Sequence, residues 1–542
     1  MSPLIPAPTM TSLTMFCCVA GLGLWMAVTS YSASAQVTDL CPTGCRCGPV
    51  ENPFTYETVF TIGCSNLTLT EVMEFRGGEK VDVLDLSGHR ISVLKNGAFK
   101  GIKPKKILLQ NNNISVIEPE AFTDVALVAE KLDLSTNNLF HLPQGLENMS
   151  ALKTLKLAGN RKLKLVKGSF RGLMSLETLD LDQCFLSEIP DGTFGDVGGT
   201  LRKLHLSGNK LTIIPVSLQQ LRKVEEIDLD NNPITSISAH AFRGMEKLKK
   251  LTLNRNEFSK PDSLHPLAFV DVALTLEDLD FYHSRMTVCP TEALSPLRKL
   301  RTLGFDANEI KAFPPKAFQT LDSLTKLVLD GNKFNFTEDM FVGITDTLTK
   351  LSIRGMGLTQ LPVRELAALD HLQWLDASAN NFKTLPDNFT RGIHANRYTL
   401  EHMKVTDISA KAFSGKDRTV HLDLEDNKIK RLDFVADPCM FEYVAVSENP
   451  LFCDCHSLHV ASHSHIILSG MCKGPPPFAN MDVSGVPFKK LAQKKCANNA
   501  KTMEIVCPAI KSHSKSTGIS VKHSLTLLMT SLMTLLALTF YM

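Results

Sequence analysis

Three sets of residues in this 542-residue chain have the types and spacing to do chemistry. The cysteines are the densest. Cys41, Cys45, Cys47 and Cys64 form one group, and Cys453, Cys455, Cys472 and Cys496 a second. Thiols grouped this closely either oxidise in pairs or hold zinc as thiolates. Residues 1–35 favour oxidation. Leu13 to Val28 is mostly apolar and uncharged, and Ala33-Ser34-Ala35 before Gln36 is a small-residue cleavage site, as in a secretory leader. Neither group has the paired C-x-x-C spacing of zinc sites, so disulfides are expected, with three pairings open in each group. The second set is His456, His459, His463 and His465 beside Asp454. These are metal-ligand types, but they read as a solvated loop, and no metal site is expected. The third set is five glycosylation acceptors, Asn66, Asn113, Asn148, Asn335 and Asn388. No nucleophile–base motif and no phosphate loop occurs, so no catalytic residue or cofactor is expected. A formal net charge of only +2 gives no support to nucleic-acid binding.

The elements between the two cysteine groups come from one repeated pattern. It reads Leu84-x-Leu86-x-x-His89-x-Ile91, then Leu132-x-Leu134-x-x-Asn137-x-Leu139, and again Leu327-x-Leu329-x-x-Asn332-x-Phe334. From His89 to Asn449 fifteen intervals cover 360 residues, a mean period of 24. Each Leu-x-Leu has period two and predicts a short strand with its leucines inward. Stacking the strands about 4.8 Å apart makes one parallel sheet. Eleven of the sixteen positions headed by His89 are Asn, whose amide both donates and accepts and so can satisfy turning backbone. Cys184 and Ser284 are expected to serve this column in part, and His89, Met356 and Met403 to weaken it. Phe99, Phe122, Phe170, Phe194, Phe242, Phe318 and Phe413 lie ten residues after it, and Phe341 and Phe389 nine after, which predicts an aromatic spine behind the sheet. The longest interval, Asn256 to Ser284, should bulge around Ser259–Leu274. Cys184 and Cys289 read as buried free thiols, and Cys439 and Cys507 are candidates to pair.

The same register assigns the outward residues. Positions two, four and six before the Asn column face the concave side. The column four before holds Asp85, Asp133, Asp180, Asp228, Asp280, Asp376 and Asp423, read as a solvated face. With Asp182, Asp230, Asp306 and Asp330 two before, it makes an acidic band in the middle repeats. The column six before is basic, with Lys106, Lys131, Lys203, Lys250, Lys326, Lys350 and Arg397, some of which are expected to neutralise that band. Trp374 stands among them and is the only Trp outside the leader. Exposed aromatics and arginines dominate interface hot spots. Candidate ligand-binding residues are therefore Trp374, Arg354, Lys350, Arg397 and Tyr282, with Asp280, Asp306 and Asp330. No acceptor Asn falls in a concave column, which leaves that surface bare of glycan.

At the far end, Leu525 to Met542 is uncharged, and Ser512–Gly518 supplies small residues and a polar spacer before it. That arrangement predicts a glycosylphosphatidylinositol anchor attached at Ser514, the alternative being a single terminal transmembrane helix.

The cap sequences, Cys41-Pro42-x-x-Cys45-x-Cys47 and Asn449-Pro450-Leu451-Phe452-Cys453-Asp454-Cys455, flank a leucine-patterned array. Together they resemble the extracellular leucine-rich repeat proteins with disulfide-bonded caps, such as Slit, the Nogo receptor and the variable lymphocyte receptors. The resemblance implies an α/β repeat solenoid: a curved horseshoe with a parallel concave sheet and cysteine-rich caps at both ends. It implies the pairings Cys41–Cys47, Cys45–Cys64, Cys453–Cys472 and Cys455–Cys496. The expected organisation is leader 1–35, first cap 36–80, repeats 81–450, second cap 451–507, polar stalk 508–524 and anchor signal 525–542. The implied function is non-enzymatic: a cell-surface receptor, co-receptor or adhesion molecule exported through the ER. It would take an extracellular protein or glycan ligand, and a transmembrane co-receptor would carry any signal. Immune recognition of foreign molecules and a structural matrix role are the alternatives.

Overall fold

A computed structural model describes residues 41–51, 56–65, 67–75, 81–415, 420–435, 438–454, 466–476 and 478–484. The leader, Asn66, Cys455, the four clustered histidines, Cys496, Cys507, Ser514 and the anchor signal lie outside the described residues.

One 19-stranded sheet runs the length of the array. It opens with an antiparallel pair, Arg46–Glu51 on Thr58–Gly63, and every later pairing in it is parallel. Strands are short, typically three residues such as Thr178–Asp180 and Lys203–His205, because the chain must leave the sheet after each Leu-x-Leu. Register never slips between Val83 and Thr399, and Leu84, Leu132, Leu204, Leu251, Leu327 and Leu375 all reach zero exposure in one continuous core. No repeat could bury such an edge alone, so each coil is stable only against its neighbours.

The opposite side of the solenoid is built mainly from turns. Among the described residues, its α-helix is confined to Thr291–Leu294 and Val363–Leu366, with short 3-10 segments such as Val216–Gln220. The α component expected from the resemblance is therefore slight. Behind the sheet the phenylalanines are buried and stack in runs, Phe99 on Phe122 at 5.7 Å and Phe170 on Phe194 at 5.8 Å. In the long interval, Val270–Val272 forms a 3-10 turn that leaves Leu267 and Leu274 exposed.

The Asn column is the main polar element of the core. Asn232 is typical: its Nδ2 donates to Leu206 O and Leu229 O at 3.0 and 3.1 Å, and its Oδ1 accepts Leu211 N–H at 3.1 Å. One amide thereby ties two coils together and leaves no buried group unpaired. Cys184 and Ser284 stand in for the amide, donating to Leu157 O at 3.3 Å and Leu253 O at 2.7 Å. His89 does not: both ring nitrogens are buried without a partner.

The caps seal the stack. Cys41–Cys47, Cys45–Cys64 and Cys453–Cys472 are bonded as the resemblance implied. Cys439 is also disulfide-bonded, while Cys184 and Cys289 are free and buried. Burial pushes the Cys184 thiol up to about 12, which keeps it protonated and inert.

Candidate functional site: the concave sheet

The outward column six before Asn runs unbroken through the last third of the sheet. Lys350 pairs with Trp374, Trp374 with Arg397, Arg397 with His421, His421 with Tyr443 and Tyr443 with Ile467. Adjacent strands put these side chains about 4.8 Å apart in one row. Trp374 is half-buried, and its indole Nε1 donates to Thr399 Oγ1 at 2.9 Å, which fixes the ring plane. Lys350 and Arg397 are exposed on either side of it. Arg354 is half-buried two positions beyond its strand, 4.0 Å from Glu401 Oε2. Further along, His421 stacks on Tyr443 at 6.5 Å, and Arg397, Tyr398, His421, Asp423 and Tyr443 line a depression of about 200 Å³. The structure places Lys350, Trp374 and Arg397 on adjacent strands, with Arg354 on the loop that follows the first of them. His421, Tyr443 and Ile467 extend the row beyond the residues singled out in the sequence.

Tyr282 lies well away from this row, under the Arg255 guanidinium at 5.6 Å and against His283 at 5.9 Å. It belongs to the acidic middle of the sheet.

That acidic band is not the solvated face expected. Every Asp four before the Asn column accepts the backbone N–H two residues on: Asp85 from Ser87, Asp133 from Ser135, Asp180 from Asp182, Asp228 from Asp230, Asp280 from Tyr282, Asp376 from Ser378 and Asp423 from Glu425, at 2.9–3.2 Å. These are Asx turns, and a carboxylate suits them because it is acceptor-only. The turn needs such help, since the residue just before each Asn position has positive φ, as at Asn231 (54°) and Glu448 (55°). Asp133 and Asp376 are buried. The second column works between coils: Asp182 accepts Ser207 N–H at 2.6 Å, Asp230 accepts Asn254 N–H at 2.9 Å and Asp330 accepts Arg354 N–H at 2.8 Å. At Gly304 a Cβ would sit 2.4 Å from Asp280 Oδ1, so a larger residue there would have to displace that carboxylate.

Packing carboxylates this way raises their pKa. Burial, and then the neighbouring Asp180, lifts Asp182 to about 6 from its ordinary 3.8. Burial, and then Asp280, does the same for Asp306. Asp230 and Asp330 are also raised, chiefly by burial. The basic column relieves little of this: Lys203 and Lys250 turn to Glu226 in their own column, at 3.2 and 2.7 Å, and among the described residues the one ion pair to the band is Lys156 with Asp180 at 3.9 Å. Within the band, ligand atoms of Asp182, His205 and Asp228 come within 4.8 Å of one another.

The acceptors Asn113, Asn148, Asn335 and Asn388 are all exposed.

The Leucine rich repeat family model matches residues 105–161, 128–186, 175–234, 222–275 and 274–334. With the continuous solenoid and its bonded ends, this match identifies an array of leucine-rich repeats closed by cysteine caps. Its disulfides suit an extracellular setting. Among characterised proteins it is similar to Decorin of Rattus norvegicus, 32% identical over 42% of this chain and 61% of that one. Lumican of Mus musculus is 28% identical over 51% and 76%, and Tsukushi of Gallus gallus 27% over 45% and 66%. The chain thus spans about three fifths of the decorin and two thirds of the Tsukushi it matches.

Proposed function

We propose that this protein is a cell-surface receptor, co-receptor or adhesion molecule that holds a protein or glycan partner on the last third of its concave sheet. The row Lys350–Trp374–Arg397–His421–Tyr443 carries the reading. It combines an aromatic of fixed orientation with exposed cations on rigid strands, so little ordering entropy opposes binding. Arg354 flanks the row, while Tyr282, Asp280, Asp306 and Asp330 stay outside it, in the acidic middle of the sheet. Among the described residues no helix is long and apolar enough to cross a membrane. In this reading a lipid anchor at Ser514 holds the solenoid at the surface, and a transmembrane partner passes the signal on.

Two measurements test this. Phosphatidylinositol-specific phospholipase C should release the expressed protein from cells; retention after treatment would favour the transmembrane alternative. The released protein then serves as bait in a cell-surface display screen. A partner that binds Trp374→Ala as well as the unaltered protein would refute the concave-row site.

A further inference from the structure

A second surface lies off the concave sheet, on the loops that follow the Asn column in the early repeats. There Asn160-Arg161-Lys162-Leu163-Lys164-Leu165-Val166-Lys167 runs out along one coil. Leu163 and Leu165 point into the core, so Arg161, Lys162, Lys164 and Lys167 all face outward. Two phenylalanines on the adjoining coils are unusually open, Phe140 at 46% and Phe185 at 42% exposure. Neither ring is idle. Lys164 Nζ lies 5.0 Å from the centroid of Phe140, while Arg161 and Lys210 approach Phe185 at 5.3 and 4.6 Å. Four successive coils therefore carry a basic platform about 15 Å across, at the spacing of parallel strands.

None of these five cations makes an ion pair among the described residues. Nearby, by contrast, Arg202 and Lys249 share Glu225, and Lys203 and Lys250 share Glu226. The carboxylates of the adjoining loop are Glu188 and Asp191, and Asp191 is taken by Gly192 N–H at 2.9 Å and Gln220 Nε2 at 3.3 Å. The rings hold the cationic heads without neutralising them, which removes part of the side-chain entropy a polyanion would otherwise have to overcome.

We infer that this platform binds a sulfated glycosaminoglycan chain. Single exposed ion pairs contribute little, so an array of free cations favours a ligand that engages several at once and releases its counter-ions. A sulfated polysaccharide keeps its charge at every physiological pH and is the polyanion met outside the cell, where the disulfides suit this protein. The site is separate from the concave row, and neither reading depends on the other.

Immobilised heparin is the probe, with the full chain purified from a eukaryotic host. Lys162→Ala/Lys164→Ala/Lys167→Ala should weaken binding by about tenfold or more and make log Kd against log salt shallower by about two. Phe185→Leu should weaken binding about threefold with the salt slope kept, because it frees Arg161 and Lys210 without removing charge. The distant exposed pair Lys299→Ala/Lys311→Ala, which belongs to neither surface, should change nothing beyond twofold. All the substituted cations are exposed, so melting curves should coincide; if the triple variant melts early, Arg161→Gln/Lys210→Gln takes its place. Equal heparin binding by the charge-deleted variant would overturn the proposal. So would equal competition by fully desulfated heparin, or displacement of heparin by phosphatidylserine vesicles or single-stranded RNA at matched charge.

Discussion

The acidic middle of the concave sheet and its basic, aromatic last third are made by the same columns of the same repeat. They differ in what their side chains are already doing. In the middle, Asp180, Asp182, Asp228 and Asp230 are each engaged by backbone N–H groups of their own turn or of the next coil. In the last third, Lys350 and Arg397 are exposed and Trp374 makes one side-chain bond that orients it. A conspicuous charge column can thus be turn chemistry repeated many times, while a row that looks irregular in sequence is the one with free capacity to bind. On the function proposed above, the departure from the consensus, and not its most regular feature, marks the binding surface.

The comparison can be broken most sharply by partner affinity. Trp374→Ala should lower the affinity of a partner retrieved by the display screen about thirtyfold or more, the scale of an interface hot spot, with the melting curve little changed. Asp306→Asn should leave the same affinity within twofold in a biosensor titration. A reversal of those two results would move the site to the acidic band.

The converse holds for stability. Asp228 accepts Asp230 N–H at 2.9 Å and Thr252 Oγ1 at 3.1 Å, so Asp228→Ala orphans two donors. A loss of about 1–3 kcal/mol in denaturant unfolding is expected, with partner binding unchanged. If the variant is as stable as the parent, the turn-capping role fails.

Third, stability should depend on pH through the band. Asp182 and Asp306 titrate at about 6 when folded against 3.8 ordinarily. A raised carboxylate pKa means the folded state takes up the proton first as pH falls. Stability should therefore be lower at pH 7.5 than at pH 5, and the gain should be complete near pH 4. Asp182→Asn keeps the acceptor for Ser207 N–H yet removes the charge, so it should raise the melting temperature at pH 7.5 by about 1–2 °C and flatten the profile. A melting temperature that falls steadily from pH 7.5 to 5 would contradict this.

The smallest effect is optical. Trp374 is the only Trp outside residues 1–35, so intrinsic fluorescence of a chain expressed without those residues reports the concave row alone. Thr399→Val removes the acceptor of its indole N–H, and a shift of a few nanometres in emission is expected; no shift would place the ring in a different contact. Partner binding at the row should quench the same signal.

Much of this molecule was legible in the sequence. Period-two leucines at a 24-residue interval dictate strand, turn and stack, and the inward columns were assigned residue by residue, down to Cys184 substituting for Asn. The cap pairings followed from resemblance, since spacing alone left three choices. The Asp column was misjudged because Asx-turn capping and solvent exposure produce the same pattern of acidic residues. The Arg161–Lys167 run drew no attention because its partners, Phe140, Phe185 and Lys210, stand on other coils. The slight helical content was also not foreseen, as the residues between strands carry no clear helical period.

The sequence by itself determined which residues lie inside, because burial in a solenoid is set within each repeat by local periodicity. Only the tertiary structure decided which outward residues are free. That depends on what the adjacent coil places about 4.8 Å away, and a residue's neighbours across coils lie some 24 positions distant in the chain. Whether an aspartate is a surface charge or a turn cap, and whether a lysine is paired or free, is settled by those neighbours.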